Sequence, residues 1–133
     1  MPAASLFEPI YALRSVVRGN LVAFNYQFHG PGHDPSPLVL VTDVWHDLRY
    51  VRGVNLHYLT LPVVSQLLLT YGDNAAFTYQ TIRAKNYIVG AFRQYKSNGI
   101  QMMRRVDAAF VRQLSAAARA YNPSEIEAMR NSI

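Results

Sequence analysis

The 133-residue chain has no cysteine. Disulfides, thiolate metal sites and a cysteine nucleophile are therefore excluded, and the redox compartment is left open. Charge is scarce as well, with 13 lysines and arginines and 8 acids to cover the whole surface. Long hydrophobic runs are missing. The opening MPAASLFEPIYALRSVVRG is interrupted by Glu8, Pro9 and Arg14, so a soluble chain is expected, with no secretion signal and no membrane partner. The seven glycines never fall into G-x-G-x-x-G or a Walker pattern, and no serine sits in a G-x-S-x-G elbow. Phosphate-cradling loops and the common hydrolase signature are thus absent, and no cofactor is implied.

Half of the residues are apolar and 16 are aromatic, nine of them tyrosine. So much apolar surface in a chain sized for one core suggests that part of it is covered by a partner. The net charge of +5 is uneven. Arg83, Lys85, Arg93, Lys96, Arg104, Arg105 and Arg112 lie within residues 83–112 against one acid, Asp107, so this stretch carries more positive charge than the chain as a whole. Such a stripe suits nucleic-acid phosphate or an acidic protein face, and it equally serves as a solvated helix surface.

NLVAFNYQF alternates, with Val22, Phe24, Tyr26 and Phe28 on one face, as a half-buried strand does. HGPGHDPSP, residues 29–37, cannot continue a ladder and predicts a long irregular turn. PLVLVTDVW is apolar on both faces through Leu38 to Val41, as in a central strand. YVRGVNLHYL supplies a third strand bent at Gly53, with Tyr50, Val54, Leu56 and Tyr58 on one side and Asn55 and His57 on the other.

From Thr60 the pattern turns helical. Thr60 caps a helix with Pro62 in its first turn and Val63, Val64, Leu67 and Leu68 as its stripe, ended by Gly72. Tyr87, Ile88, Ala91, Phe92 and Tyr95 suggest a second helix closed by Asn98-Gly99. Asp107 would cap a third over Phe110, Leu114, Ala117 and Tyr121, and NPSE, with Asn122, Pro123 and Glu125, opens a fourth bearing Ile126, Met129 and Ile133. The expectation is a single α+β domain over 1–133: an N-terminal segment 1–19, a small SH3-like antiparallel β-barrel or curled sheet over 16–60, and three or four α-helices over 61–133.

Candidate sites are few. His29, His33 and Asp34 lie around GPG, which prevents the helical turn that would align two metal ligands, and a third ligand is wanting. Asp43, His46 and Asp47 are the least implausible hydrolytic group, and a hairpin turn explains them as well. Asn55 and His57 must hydrogen-bond if their strand face meets the helices, as structural polar groups or, failing that, in contact with a partner.

The run FNYQF through PLVLVTDVWHDLRYVRGVNLHYLTLP resembles a family of small virion proteins of contractile-tailed bacteriophages. The likeness rests on Phe24 and Tyr26, on Pro37 to Val41 and above all on Gly53 to Leu59, and it continues in AFRQYKSNGIQMMRRVDAAF and NPSEIEAMR. It implies a non-enzymatic structural protein of the particle, in the baseplate or tail or else as a head protein associated with DNA ends. Its partners would be other virion proteins in a symmetric multi-copy assembly. Arg93, Tyr95, Lys96, Arg104 and Arg105 are the expected partner contacts, since tyrosine and arginine combine area with hydrogen-bonding ends. The alternative is a nucleic-acid-binding virion protein using stripe 83–112, with Tyr87, Phe92 and Tyr95 as stacking groups.

Overall fold

The computed structural model describes residues 7–9, 13–28, 30–45 and 47–106. The strands are β1 (Phe7–Pro9), β2 (Leu21–Tyr26), β3 (Leu38–Trp45), β4 (Tyr50–Asn55), β5 (Phe92–Lys96) and β6 (Ile100–Val106). They form one antiparallel sheet in the order β1-β6-β2-β3-β4-β5. Between β4 and β5 the chain inserts α1 (Leu61–Tyr71), α2 (Tyr79–Arg83) and α3 (Asn86–Val89). Single 3-10 turns occupy Leu13–Ser15, Leu56–Tyr58 and Ser97–Gly99.

This corrects the expected barrel followed by three or four helices. The sheet is open, with β1 and β5 as its edges, and only α1 exceeds five residues among the described helices. The helix expected from Tyr87 to Asn98 lasts one turn. After Gly90 the chain extends, and FRQYK pairs with β4 from Tyr50↔Lys96 to Val54↔Phe92. IQMMRRV then crosses to the far side of the sheet, between β2 and β1. The basic stripe thus lies largely on strands. The helices expected after Asp107 and Asn122 fall outside the described residues.

Both sheet faces are buried, as the double-sided apolar pattern of β3 requires. Leu21, Ala23, Leu38, Leu40, Val54 and Leu56 point to the helices, where Val64, Leu67, Leu68, Phe77, Ile82 and Ile88 cover them. α1 runs as Pro62 and Gly72 predict, with Gly72 N–H closing on Leu68 O, although Thr60, at the cap position, makes no side-chain capping bond. Val22, Phe24, Val39, Val41 and Val51 point the other way and meet Val16, Tyr95 and Met103. Tyr95 on β5 lies 5.1 Å, centroid to centroid, from Phe24 on β2. Two strands separate them, so a flat sheet would hold them about 14 Å apart. The sheet must bend across this face, and the Tyr26 hydroxyl accepts the edge amide of Lys96 at 3.0 Å.

The bend has a local origin. Register shifts between Val41 and Asp43, leaving Thr42 as an extra residue opposite Gly53 and Arg52. Thr42 sends its hydroxyl to Arg52 O at 3.1 Å. Gly53 is the residue that permits the approach: a Cβ there would fall on the Leu40 carbonyl oxygen and 2.7 Å from Val39 Cγ1. A second shift, on β6, accompanies Met102 at φ 55°.

Candidate functional site

The 30–37 turn, the end of β4 and the edge strand β5 meet around Asn55, which is fully buried. β4 stops here because the Asn55 side chain turns back on its own backbone. Oδ1 accepts His57 N–H at 2.9 Å and caps the 3-10 turn Leu56–Tyr58. Its Nδ2 donates to Asp34 Oδ2 at 3.0 Å and to the Tyr95 hydroxyl at 3.1 Å. His57 is therefore not a strand residue facing the same way as Asn55. It lies in the turn, and its Nδ1 donates to Asp34 Oδ2 at 2.6 Å.

Asp34 is the second centre of this network. Oδ1 accepts Ser36 N–H at 2.9 Å, folding HDPSP into an Asx-type turn. Its own N–H donates to the Tyr58 hydroxyl at 3.1 Å. Burial pushes the Asp34 carboxyl up, but hydrogen bonds from Asn55, His57 and Ser36, with the nearby His57 charge, outweigh this and hold it below the ordinary 3.8. Burial also pushes the Tyr95 phenol far above its usual value, against a smaller opposing effect from the Asn55 bond, so it remains protonated.

A carboxyl with a depressed folded pKa contributes stability that is present above the unfolded value and lost as pH falls through the folded one. Between pH 5 and about pH 2, the parent should therefore lose stability more steeply than Asp34→Asn in urea titrations. Parallel profiles for the two proteins would mean that Asp34 is not held as described.

Beside this network lies a cleft of about 270 Å³ lined by Tyr26, Phe28, His33, Asp34, Tyr58, Arg93, Gln94 and Tyr95. Phe28 and Tyr58 are exposed at its mouth. The Arg93 guanidinium stacks 4.6 Å from the Tyr58 ring centre. Its Nη1 also donates to Gly90 O at 2.7 Å and Phe92 O at 2.9 Å. Lys96 Nζ stands 5.9 Å from the Phe28 ring centre. Tyr26 meets Phe28 and Tyr95 edge-on at 5.8 and 5.0 Å, which makes a rigid wall of perpendicular rings.

The structure thus brings Arg93, Tyr95 and Lys96 together around one cleft. Arg104 and Arg105 are elsewhere, on β6 opposite Ala23 and Val22, with β2, β3 and β4 between them and β5 in the sheet. Tyr95 is buried and Phe92 packs 4.8 Å from Tyr79, so neither ring stands free for a base to stack upon. Nothing is described of the Tyr87 side chain. Of the hydrolytic trio, Asp43 is held bidentately by Arg52 at 3.0 and 2.6 Å, with the guanidinium 4.5 Å from the Trp45 ring centre. Asp47 lies in the exposed β3–β4 hairpin at φ 54°, and His46 is outside the described residues. His33 is exposed at the cleft and His29 is outside the description. Among the described residues, no group of three or more histidines and acids could hold a metal.

Tyr26, Phe28 and Tyr58 are site residues that the sequence reading placed only on strand faces, and Asp34 it weighed only as a metal ligand. Asp34 had one local signal, an aspartate two residues before a serine within a proline-rich turn. Its partners at 55 and 57 are non-local and carry no periodic trace. The Asp34–His57 pair resembles the orienting half of a catalytic triad, yet among the described residues no hydroxyl is bonded to the other ring nitrogen. No helix among the described residues is long and apolar enough to cross a membrane. Comparison with protein-family models, curated proteins and solved structures finds no match.

Proposed function

We propose that this protein is a structural component of a tailed-bacteriophage virion, a baseplate or tail assembly protein that works through protein–protein contacts and not by catalysis. The observation that carries this reading is the employment of Gly53 to Leu59, the most specific part of the likeness. Gly53 lets β3 and β4 approach, and Asn55 and His57 tie the 30–37 turn to β4 and β5. The segment helps to build a firm aromatic and basic cleft. Exposed Tyr and Phe rims with an arginine stacked across them have the composition of an interface centre. Neighbouring virion subunits are its partners in this reading, and the host cytoplasm is where it is made before assembly.

The test is to separate heads from tails in purified particles of the phage encoding the chain and to look for the protein in each by mass spectrometry. Recovery with tails is expected. The isolated chain should also show no DNA binding at about 150 mM salt. Recovery with DNA-filled heads, together with DNA affinity falling steeply between about 50 and 200 mM salt, would replace this reading with the nucleic-acid one. Absence from both fractions would overturn the virion assignment.

A further inference from the structure

Three phenol groups converge on the cleft, and each is used on one side only. The Tyr26 hydroxyl accepts from Lys96 N–H, the Tyr58 hydroxyl from Asp34 N–H and the Tyr95 hydroxyl from Asn55 Nδ2. A phenol that accepts one bond still has its proton to donate. Among the described residues none of these three protons has an acceptor. Arg93 adds to the excess: both bonds it donates leave from Nη1, so Nε and Nη2 keep their hydrogens. The exposed Gln94 amide supplies further donors on the same wall.

Acceptors are fewer. Asp34 Oδ2 already takes two bonds and Oδ1 takes one. The phenol, Arg93 and Gln94 donors facing the rings outnumber the free acceptors beside them, so an occupant that offers carbonyls without matching N–H groups fits this wall best. The occupant should be rich in acceptors, poor in donors and apolar enough to lie against the Tyr26, Phe28 and Tyr58 rings. An anion meets the donor requirement, but the Asp34 carboxylate stands in the same wall as Arg93 and repels it. A proline-rich extended segment meets every requirement, since its carbonyls are free, its ring nitrogens carry no hydrogen and its pyrrolidines pack on aromatic faces. The volume agrees with this choice. At about 270 Å³ the cleft lies below the ~300–1,000 Å³ of pockets that enclose small molecules, and it suits a short stretch of a larger chain.

We propose that the Tyr26–Phe28–Tyr58–Tyr95 cleft binds a proline-rich, polyproline-II segment of a partner protein, with the Tyr26 and Tyr58 phenol protons and Gln94 directed at its backbone carbonyls. This rests on the reading of the cleft as an interaction surface and names the chemistry of what it takes.

The test is a titration of the full isotope-labelled chain with acetylated, amidated decaproline, followed residue by residue by NMR. Saturable shifts are expected at Phe28, Tyr58 and Gln94 and not at Leu67, which lies on α1 against the opposite face of the sheet. Tyr26→Phe and Tyr58→Phe keep their rings and lose one donor each, so each should weaken binding about 3–10-fold. Gln94→Ala alters an exposed position of the same wall and should weaken it in the same direction without threatening the fold. Binding should hardly change with salt. No saturable shift up to about 5 mM peptide overturns the proposal, as does equal binding of a glycine-serine peptide of the same length. Displacement of the peptide by inorganic phosphate would make this an anion site and overturn it too. The two readings fail separately: the protein can be found in tails while decaproline leaves it untouched, and the peptide can bind a chain that is absent from particles.

Discussion

Gly53→Ala should destabilise the protein by about 3 kcal/mol or more, the range of severe overpacking inside a close-fitted element. The added carbon would overlap the Leu40 carbonyl oxygen and crowd Val39 Cγ1. Neither obstacle can move cheaply. Leu40 pairs with Val54 in the middle of the β3–β4 ladder, and Val39 is fully buried. Relief would require β3 and β4 to part just where the extra residue Thr42 bends the sheet. Since small domains are stable by only about 5–15 kcal/mol, a large part of the reserve would go. Gly90→Ala is the matched comparison, because a Cβ there meets nothing within 4 Å and its φ of −66° suits alanine. That change should be neutral or stabilise by up to about 1 kcal/mol. Urea unfolding would show the first variant with a much lower midpoint at unchanged slope and the second near the parent. Equal midpoints for both would refute the close approach of the two strands.

Asn55→Ala is expected to cost about 2–4 kcal/mol, from three lost hydrogen bonds and the desolvated groups they leave. The Tyr95 hydroxyl would remain in a nearly closed core without its donor, and His57 N–H would lose its cap. Asp34 would lose the largest of the influences that lower its pKa, so its carboxyl should titrate closer to 3.8 in the variant. That second readout separates a broken network from a mere cavity. Asn55→Asp should be at least as damaging. Where Nδ2 donates to Asp34 it would set a carboxylate oxygen about as close, and two charges so near cannot both persist. A double-mutant cycle with Tyr95→Phe should show coupling of about 0.5–3 kcal/mol. Additive losses would mean that the two side chains do not share a bond.

The pattern in the sequence was most informative where local chemistry and packing agree. β2 and β3 were legible as strands and β3 as one covered on both sides, but β2, read as half-buried, has Leu21 to Phe24 buried on both faces because the helices cover the second. α1 was legible from its proline and its terminal glycine. β5 and β6 were not. Of β5 only Tyr95 is buried, so the strand shows no period of two, and its aromatic residues happen to continue a helical spacing begun at Tyr87 and Ile88. β6 alternates and then loses phase at Met102, where the left-handed residue shifts the register. Asn55 was recognisable as a polar residue in need of partners, but His57 was assigned a strand position that the asparagine itself abolishes by capping a turn. The cleft depends on Asp34 reaching residues more than twenty positions away. No window of sequence displays such a contact.

The place of β6 also bears on how the protein comes into being. The strand closest to the end of the described chain is inserted beside β2, one of the first to be made, with Val22 facing Arg105 and Tyr26 facing Ile100. During synthesis β2, β3, β4 and β5 can assemble as they emerge, yet β2 keeps one side unpaired until β6 leaves the ribosome. A nascent chain halted before Ile100 would therefore carry the apolar edge Leu21–Tyr26 open to any strand it meets. Completion requires a long loop to close before its contacts repay the entropy, which makes it a slow step and the interval of greatest exposure to aggregation.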